Sequence, residues 1–125
     1  MKGRKPSSVS TGAMPVSKMP RAPQWLSPDA RAEWQRVVPS LVERRVLDTA
    51  DMGNLENYCH AQGVVRQIAR QIGASGDLDL KLLRTQNAAM ATARQLAALF
   101  GLTPVDRSRP AIRDGADDDE LGFLE

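Results

Sequence analysis

The side chains best suited to chemistry, Cys59 and His60, are neighbours in the chain. On a helix, adjacent side chains point about 100° apart, so these two do not converge on one metal ion or substrate. No segment has the form GxxxxGK[ST], which cradles the phosphates of ATP. The acids at 117–120 lie in a stretch without helical periodicity, whereas a metal-dependent nuclease needs carboxylates on a rigid element. We therefore predict a non-catalytic protein that has neither a metal site nor a cofactor.

The charged residues indicate binding instead, because they are divided along the chain. Residues 1–24 carry five bases and no acid, residues 25–102 carry nine bases and eight acids, and residues 103–125 carry three bases and seven acids. The net charge of +2 conceals this division. A basic end is suited to DNA phosphates, with affinity that falls as salt rises and little dependence on base sequence, and a solvated leader that keeps the protein soluble is the alternative interpretation. The candidate DNA-binding residues are Lys2, Arg4, Lys5, Lys18 and Arg21.

Apolar periodicity predicts an all-α fold with a three-helix body. Helix A is expected at about residues 28–45, helix B at about 50–72 and helix C at about 80–100, with disordered tails on both sides. Ser27-Pro28 is a typical helix start, and Asp48 or Thr49 is a good cap for helix B. Gly73 and Gly101 are expected to end helices B and C. The predicted core contains Trp25, Trp34, Val37, Leu41, Leu55, Tyr58, Val65, Ile68, Ile72, Leu96 and Phe100.

Two features indicate irregularity inside the predicted helices. Pro39 removes a backbone hydrogen bond, so helix A is expected to bend or break there. The apolar face of helix B shifts by a quarter turn or more near Gly63, which predicts a bend or a change of neighbour. Arg44 and Arg45 lie at the end of helix A, where capping of that helix and contact with DNA are both open interpretations.

The chain divides into three predicted parts. Residues 1–22 form a basic flexible arm, residues 23–102 a helical domain that oligomerises, and residues 103–125 an acidic C-terminal tail. Ala88, Ala91 and Ala98 on helix C leave room for another helix, although alanine is also simply the best helix former. In the tail, Leu121, Phe123 and Leu124 are candidate partner-binding residues, and a solvated end is the alternative interpretation.

Several motifs in order resemble the phage terminase small subunit family. They are the opening MKGRKP, then PxWLSPDAxxxW from Pro23 to Trp34, then LxxAD from Leu47 to Asp51, and finally FGLTP from Phe100 to Pro104 with Arg107 and Arg109 behind it. The resemblance implies a protein that forms homo-oligomers, often rings, and recognises double-stranded viral DNA. It also implies recruitment and regulation of a large terminase subunit that carries the ATPase and nuclease.

Two other functions remain open from the sequence. One is a small DNA-binding regulator built on a helix-turn-helix, with Asn54 and Asn57 as the only candidates for base contacts. The other is a helical adaptor between proteins with no role on DNA. No apolar run approaches the ~18 residues of a membrane span, and the single cysteine fits a reducing compartment. We therefore expect a protein of the host cytoplasm without a membrane contact.

Overall fold

The computed structural model describes residues 16–103, which form three α-helices and one short 3₁₀ turn. Helix α1 spans Pro28–Glu43, the 3₁₀ turn spans Thr49–Asp51, α2 spans Met52–Ser75 and α3 spans Leu80–Phe100. The described part of the chain contains no β-strand. The all-α, three-helix prediction is confirmed. Residues 1–15 and 104–125, which hold most of both predicted tails, lie outside the described residues.

Helix α1 begins as its sequence predicts and ends earlier. The Ser27 hydroxyl accepts a hydrogen bond from the Ala30 N–H at 3.2 Å, and proline occupies the first helical position. The helix passes through Pro39 without interruption, so the predicted break does not occur. It ends at Glu43 rather than near residue 45, because Arg45 adopts a left-handed backbone conformation with φ 59°.

Helix α2 is longer than predicted at its C-terminal end. Asp48 and Asp51 form a reciprocal capping box that starts the 3₁₀ turn leading into the helix. The left-handed cap lies at Gly76, with φ 74°, and not at Gly73. Gly73 is an interior residue of the helix, where a glycine costs about 0.5–1 kcal/mol but does not force an end. Gly101, with φ 60°, ends α3 as predicted.

Helix α2 is the central element, since it packs against both α1 and α3. The side of α2 that faces α1 is apolar at Leu55 and Cys59, lies directly against the Ala30 backbone at Gly63, and is basic at Arg66 and Arg70. A second row of α2 side chains, spaced three to four residues apart, lies on the side of the helix where the Gln86 side chain of α3 donates to the Val65 carbonyl. It contains Tyr58, Ala61, Val65, Ile68 and Ile72. The predicted change of neighbour therefore reflects two adjacent faces, of which the α1-facing one becomes basic beyond Gly63.

The core lies where the three helices meet. Of the residues assigned to it from the sequence, seven are buried: Trp34, Val37, Leu41, Leu55, Tyr58, Ile68 and Phe100. Val65, Ile72 and Leu96 are half-buried. Trp25 is 53% exposed, so its assignment to the core was wrong. The residue after it, Leu26, is buried instead, because the chain turns into α1 immediately beyond.

The segment before α1 is attached to the helices. The Val16 N–H donates to the Leu47 carbonyl at 2.8 Å, and the Trp34 indole N–H donates to the Pro20 carbonyl at 3.1 Å. Val16 and Ala22 also pack against the core. Residues 16–22, which the sequence assigns to the arm, are therefore held on α1 and on the link between α1 and α2.

Candidate functional site

The described part of the predicted arm holds its two basic side chains in solvent. Lys18 and Arg21 are exposed on either side of Pro20, whose carbonyl is fixed by the buried Trp34. Their positions follow from that anchor, since the bound backbone cannot move away from α1. The other candidate DNA-binding residues, Lys2, Arg4 and Lys5, lie outside the described residues.

A groove of about 520 Å³ lies between this segment and α1. Arg21 lines one side and Arg31 the other, and the polar amides of Gln24 and Gln35 lie between apolar surfaces. No acidic residue lines the groove. Arg31 donates to the Gln24 carbonyl at 3.0 Å, which satisfies part of the guanidinium but leaves its charge unneutralised. This basic groove is suited to an anionic backbone such as that of DNA.

Arg31 is a candidate site residue that sequence reasoning missed. The charge count placed it in the nearly neutral body, where bases and acids alternate. In the structure it has no acidic partner among residues 16–103, and it lies across the groove from Arg21. Its position near the start of α1, seven residues after the end of the base-rich segment 1–24, was the available indication.

Other arginines of the body are occupied by internal pairing around Glu33. This carboxylate is fully buried and accepts bonds from Arg36, from Arg66 at 2.6 Å and from the Tyr58 hydroxyl at 2.5 Å. Burial acts to raise the pKa of Glu33, but the hydrogen bonds from Arg36, Tyr58 and Arg66 outweigh it and hold that pKa below its usual value. Burial and the neighbouring carboxylate raise the pKa of Tyr58 to about 12. The Glu33 cluster therefore joins α1 to α2 and does not act as an acid or base at neutral pH.

Two more arginines have structural partners. Arg70 of α2 forms a two-point ion pair with Asp29 in the first turn of α1, and its hydrogen bonds lower the pKa of that carboxyl. Arg44 donates to the Phe100 carbonyl at 2.9 Å and to the Gly101 carbonyl at 3.2 Å. The positive side chain of Arg44 therefore caps the negative C-terminal end of α3, while its backbone N–H is the C-cap of α1 and donates to the Ser40 carbonyl at 2.9 Å. Arg45 is exposed and makes no ion pair with another described residue.

The side chains best suited to chemistry do not form a shared site in residues 16–103. No group of three or more His, Cys, Asp or Glu side chains in this part of the chain could hold a metal ion. Cys59 is buried, and burial raises the pKa of its thiol to about 12, so the nucleophilic thiolate is scarce at neutral pH. His60 lies against the exposed Trp25 ring, with centroids 5.3 Å apart, rather than beside Cys59 in a shared site.

The surface of α3 that faces away from α2 contains an alanine stripe flanked by leucines. Leu80 and Leu99 are 60% and 62% exposed, and Ala88 and Ala98 lie between them. Leu78, in the turn before α3, is also exposed. None of the described helices is long and apolar enough to cross a membrane. The candidate partner residues Leu121, Phe123 and Leu124 lie outside the described residues.

A family model described as "Phage terminase, small subunit" matches residues 30–117, from the first turn of α1 into the acidic run. The chain belongs to the phage terminase small subunit family. The match covers α2, α3 and all but the first two residues of α1, and leaves out residues 1–29 and 118–125, so the resemblance of the opening MKGRKP motif stays outside it. No curated protein and no solved structure matches the chain at a significant level.

Proposed function

We propose that this member of the terminase small subunit family recognises double-stranded viral DNA, assembles into a homo-oligomer and recruits the large ATPase-nuclease subunit for genome packaging. The observation that carries the DNA role is the basic groove, which Arg21 and Arg31 line and which has no acid among its lining residues from 16–103. Lys18 extends this surface along the anchored segment. Lys2, Arg4 and Lys5 precede it in the chain and add phosphate contacts.

A double charge reversal tests the groove as the DNA surface. Arg21→Glu with Arg31→Glu should weaken binding to duplex DNA and lower the slope of log K against log salt by about 2, one for each lost phosphate contact. The matched control is Lys81→Glu with Arg84→Glu, which reverses two exposed bases on α3. Because α3 carries the proposed assembly surface, DNA binding is compared only after light scattering has shown that this variant keeps the oligomer mass of the natural chain. Equal losses in both variants would show that only net charge matters and would remove the groove from the proposal.

The contribution of the N-terminal bases needs its own variant. Replacing Lys2, Arg4 and Lys5 together by alanine should reduce the slope further, by up to about 3. If this variant binds DNA as the natural chain does at every salt concentration, the arm makes no phosphate contact. The loss of DNA binding in the variant with Arg21→Glu and Arg31→Glu would then reflect the whole DNA interface.

The proposed assembly uses the exposed face of α3. A helix that presents small residues lets another helix approach closely, and flanking leucines supply apolar area for burial. Side-by-side copies related by rotation form a ring if the contact closes. The mass in solution should therefore greatly exceed the chain mass of 13.7 kDa, measured by sedimentation or light scattering. A strict monomer at micromolar concentration would contradict the assembly.

Recruitment of the large subunit is assigned to the acidic tail through Leu121, Phe123 and Leu124. An acidic segment with apolar residues suits a short docking motif. Deleting residues 117–125 should abolish co-purification with the large subunit while leaving the oligomer mass, apart from the deleted residues, unchanged. Retained co-purification would place the large-subunit contact elsewhere.

The helix-turn-helix alternative gains little support from the arrangement of α2. The capping box at its start places Asp48 and Asp51 where a recognition helix approaches DNA phosphates, so the two acids would repel them. Asn54 and Asn57 are exposed but lie beside this acidic turn. Helix α2 is also the central helix, with one side against α1 and another against α3.

A further inference from the structure

A second groove, on the side of the molecule where the described chain ends, has the features of a peptide-binding site. Its volume is about 420 Å³. Arg36 of α1 and Tyr58 and Gln62 of α2 form one wall, and α3 forms the other. Ala93 and Ala97 are buried and small, so they leave an apolar depression beside Met90, which is 40% exposed. This C-terminal groove can take bulky apolar side chains.

The charge of the C-terminal groove is positive. Arg94 lines it and makes no ion pair with any residue of 16–103. Arg36 also lines it, and 61% of its side chain is exposed although it pairs with Glu33. No aspartate or glutamate of residues 16–103 lines the groove. A ligand that combines carboxylates with apolar side chains matches this surface better than a neutral or basic peptide.

The chain carries such a ligand in its own sequence. Residues 117–125 read DDDELGFLE, with five acids and the apolar Leu121, Phe123 and Leu124. We propose that residues 117–125 bind in the C-terminal groove of their own chain. In this arrangement the carboxylates approach Arg94 and Arg36, and the apolar side chains cover Ala93, Ala97 and Met90.

Chain connectivity favours the groove of the same chain over that of a second copy. Leu102 is partly buried against the core, and Leu102 and Thr103 themselves line the groove. Residues 104–116 then separate the groove wall from the acidic run, and 13 residues span at most about 45 Å when fully extended. A tether of this length gives an effective concentration in the millimolar range, so even weak docking is populated.

Docking of residues 117–125 would have a consequence for recruitment of the large subunit. This consequence rests on the proposed function, in which the same residues recruit that subunit. While residues 117–125 are docked, they cannot bind the large subunit, which must displace them from the groove. The apparent affinity for the large subunit therefore rises when docking is weakened. The C-terminal groove would therefore regulate recruitment. Because exposed ion pairs contribute about 0.2–1 kcal/mol, loss of Arg94 should raise the apparent affinity for the large subunit about 1.4- to 5-fold.

A photo-crosslinking experiment on the full chain tests the docking without DNA or the large subunit. Phe123→p-benzoylphenylalanine places a light-activated group in the apolar part of the segment. After irradiation, mass spectrometry should find crosslinks to Met90 or its neighbours on α3, in a product that runs as a single chain on a denaturing gel. Arg94→Glu should reduce the crosslink yield, by at most about 5-fold, and the matched control Arg84→Glu, outside the groove, should not.

The outcomes separate docking from the proposed function. Crosslinks only in a product of twice the chain mass would assign the groove to the tail of a second copy and overturn the proposal. Crosslinks elsewhere, no crosslinks, or equal yields in the two arginine variants would also overturn it. Loss of DNA binding or recruitment would leave this crosslink unchanged, so a failure of the proposed function remains distinguishable.

Discussion

The two contacts that α2 makes differ in chemistry. Toward α1, the contact contains directional bonds, in the Glu33 cluster and in the ion pair of Asp29 with Arg70. The two helices also approach each other closely at Gly63. Toward α3, buried alanines, Phe100 and one hydrogen bond from Gln86 to the Val65 carbonyl hold the helices together. Apolar contacts have no preferred direction, whereas hydrogen bonds to a buried charge are directional. The α1–α2 contact therefore depends largely on directional bonds, and the α2–α3 contact depends mainly on apolar packing. The C-terminal end of α3 is also bonded to the Arg44 side chain.

This difference separates the proposed functions in space. The basic groove is built on α1, whose position relative to α2 is fixed by ion pairs, so its arginines are held at a constant spacing for phosphates. The proposed assembly surface is built on α3, and the C-terminal groove lies between α3 and side chains of α1 and α2. A helix held by small apolar residues can shift slightly as neighbours or a docked segment are exchanged. We expect mutations to have their largest effects on stability at α1 and on assembly at α3.

The largest effect is expected at Trp34, the buried side chain that joins α1 to the N-terminal segment. Trp34→Ala should lower the free energy of unfolding by about 3–5 kcal/mol, because it leaves a cavity and frees the Pro20 carbonyl. Urea denaturation followed by circular dichroism measures the change. The matched control is Trp25→Ala, which removes a 53% exposed ring and should cost less than about 1 kcal/mol. Equal losses would mean that Trp25 belongs to the core after all.

The next largest loss of stability is expected on substitution of Glu33, at the centre of the α1–α2 contact. Glu33→Gln should cost about 2–3 kcal/mol at neutral pH, because a neutral amide replaces a carboxylate that accepts charge-assisted bonds. Glu43→Gln, on an exposed position of the same helix, should change stability by no more than about 0.5 kcal/mol. Denaturant unfolding of both variants at pH 7 measures the comparison.

The same residue gives the contact a pH dependence. The pKa of Glu33 lies below its usual value in the folded chain, so its stabilisation is complete above the unfolded value of 4.5 and is lost as the pH falls through the lower folded value. The unfolding free energy of the natural chain should decline below about pH 4.5, and Glu33→Gln should flatten part of that decline. If the unfolding free energies of the two proteins fall in the same way below about pH 4.5, the pKa of Glu33 is the same in the folded and unfolded chain.

A smaller effect is expected at Gly63, where α2 approaches the backbone of α1. A Cβ at this position would lie 2.9 Å from the Ala30 backbone nitrogen, so Gly63→Ala must push the helices apart and should cost about 1–2 kcal/mol. Gly73→Ala is the matched control in the same helix, where an added Cβ meets nothing within 4 Å. It should stabilise the chain by about 0.5–1 kcal/mol. Stabilisation by both substitutions would remove the close approach from the α1–α2 contact.

These positions show what the sequence could and could not predict. Trp34, Val37 and Leu41 share one helical face, and that periodicity was sufficient to place them in the core. Trp25 precedes the helix start, where periodicity carries no information, and its exposure was missed. The role of Glu33 was also missed, since its partners Tyr58 and Arg66 lie 25 and 33 residues away in the chain.

The candidate site shows the same limit. Lys18 and Arg21 were identified by charge, because five bases without an acid stand out along the chain. Arg31 escaped because its role depends on how the segment before α1 folds back over that helix, and this path is set by Trp34 bonding to Pro20. A local count cannot tell an arginine that faces a groove from one that, like Arg36, pairs with a buried acid.

The smallest effect on stability, and the largest on assembly, is expected on the outer face of α3. Leu99→Gln with Leu80→Gln replaces two side chains that are 62% and 60% exposed, so the unfolding free energy of a single chain should change by no more than about 0.5 kcal/mol for each. The apolar area available to a neighbouring copy falls at the same time, so the mass in solution should drop toward 13.7 kDa. Met19→Gln, at an equally exposed apolar residue beside α1, is the matched control and should leave the mass unchanged. If the control dissociates the oligomer and the α3 variant does not, the copies meet through α1, and the division between a rigid DNA-facing side and an adjustable assembly side would be reversed.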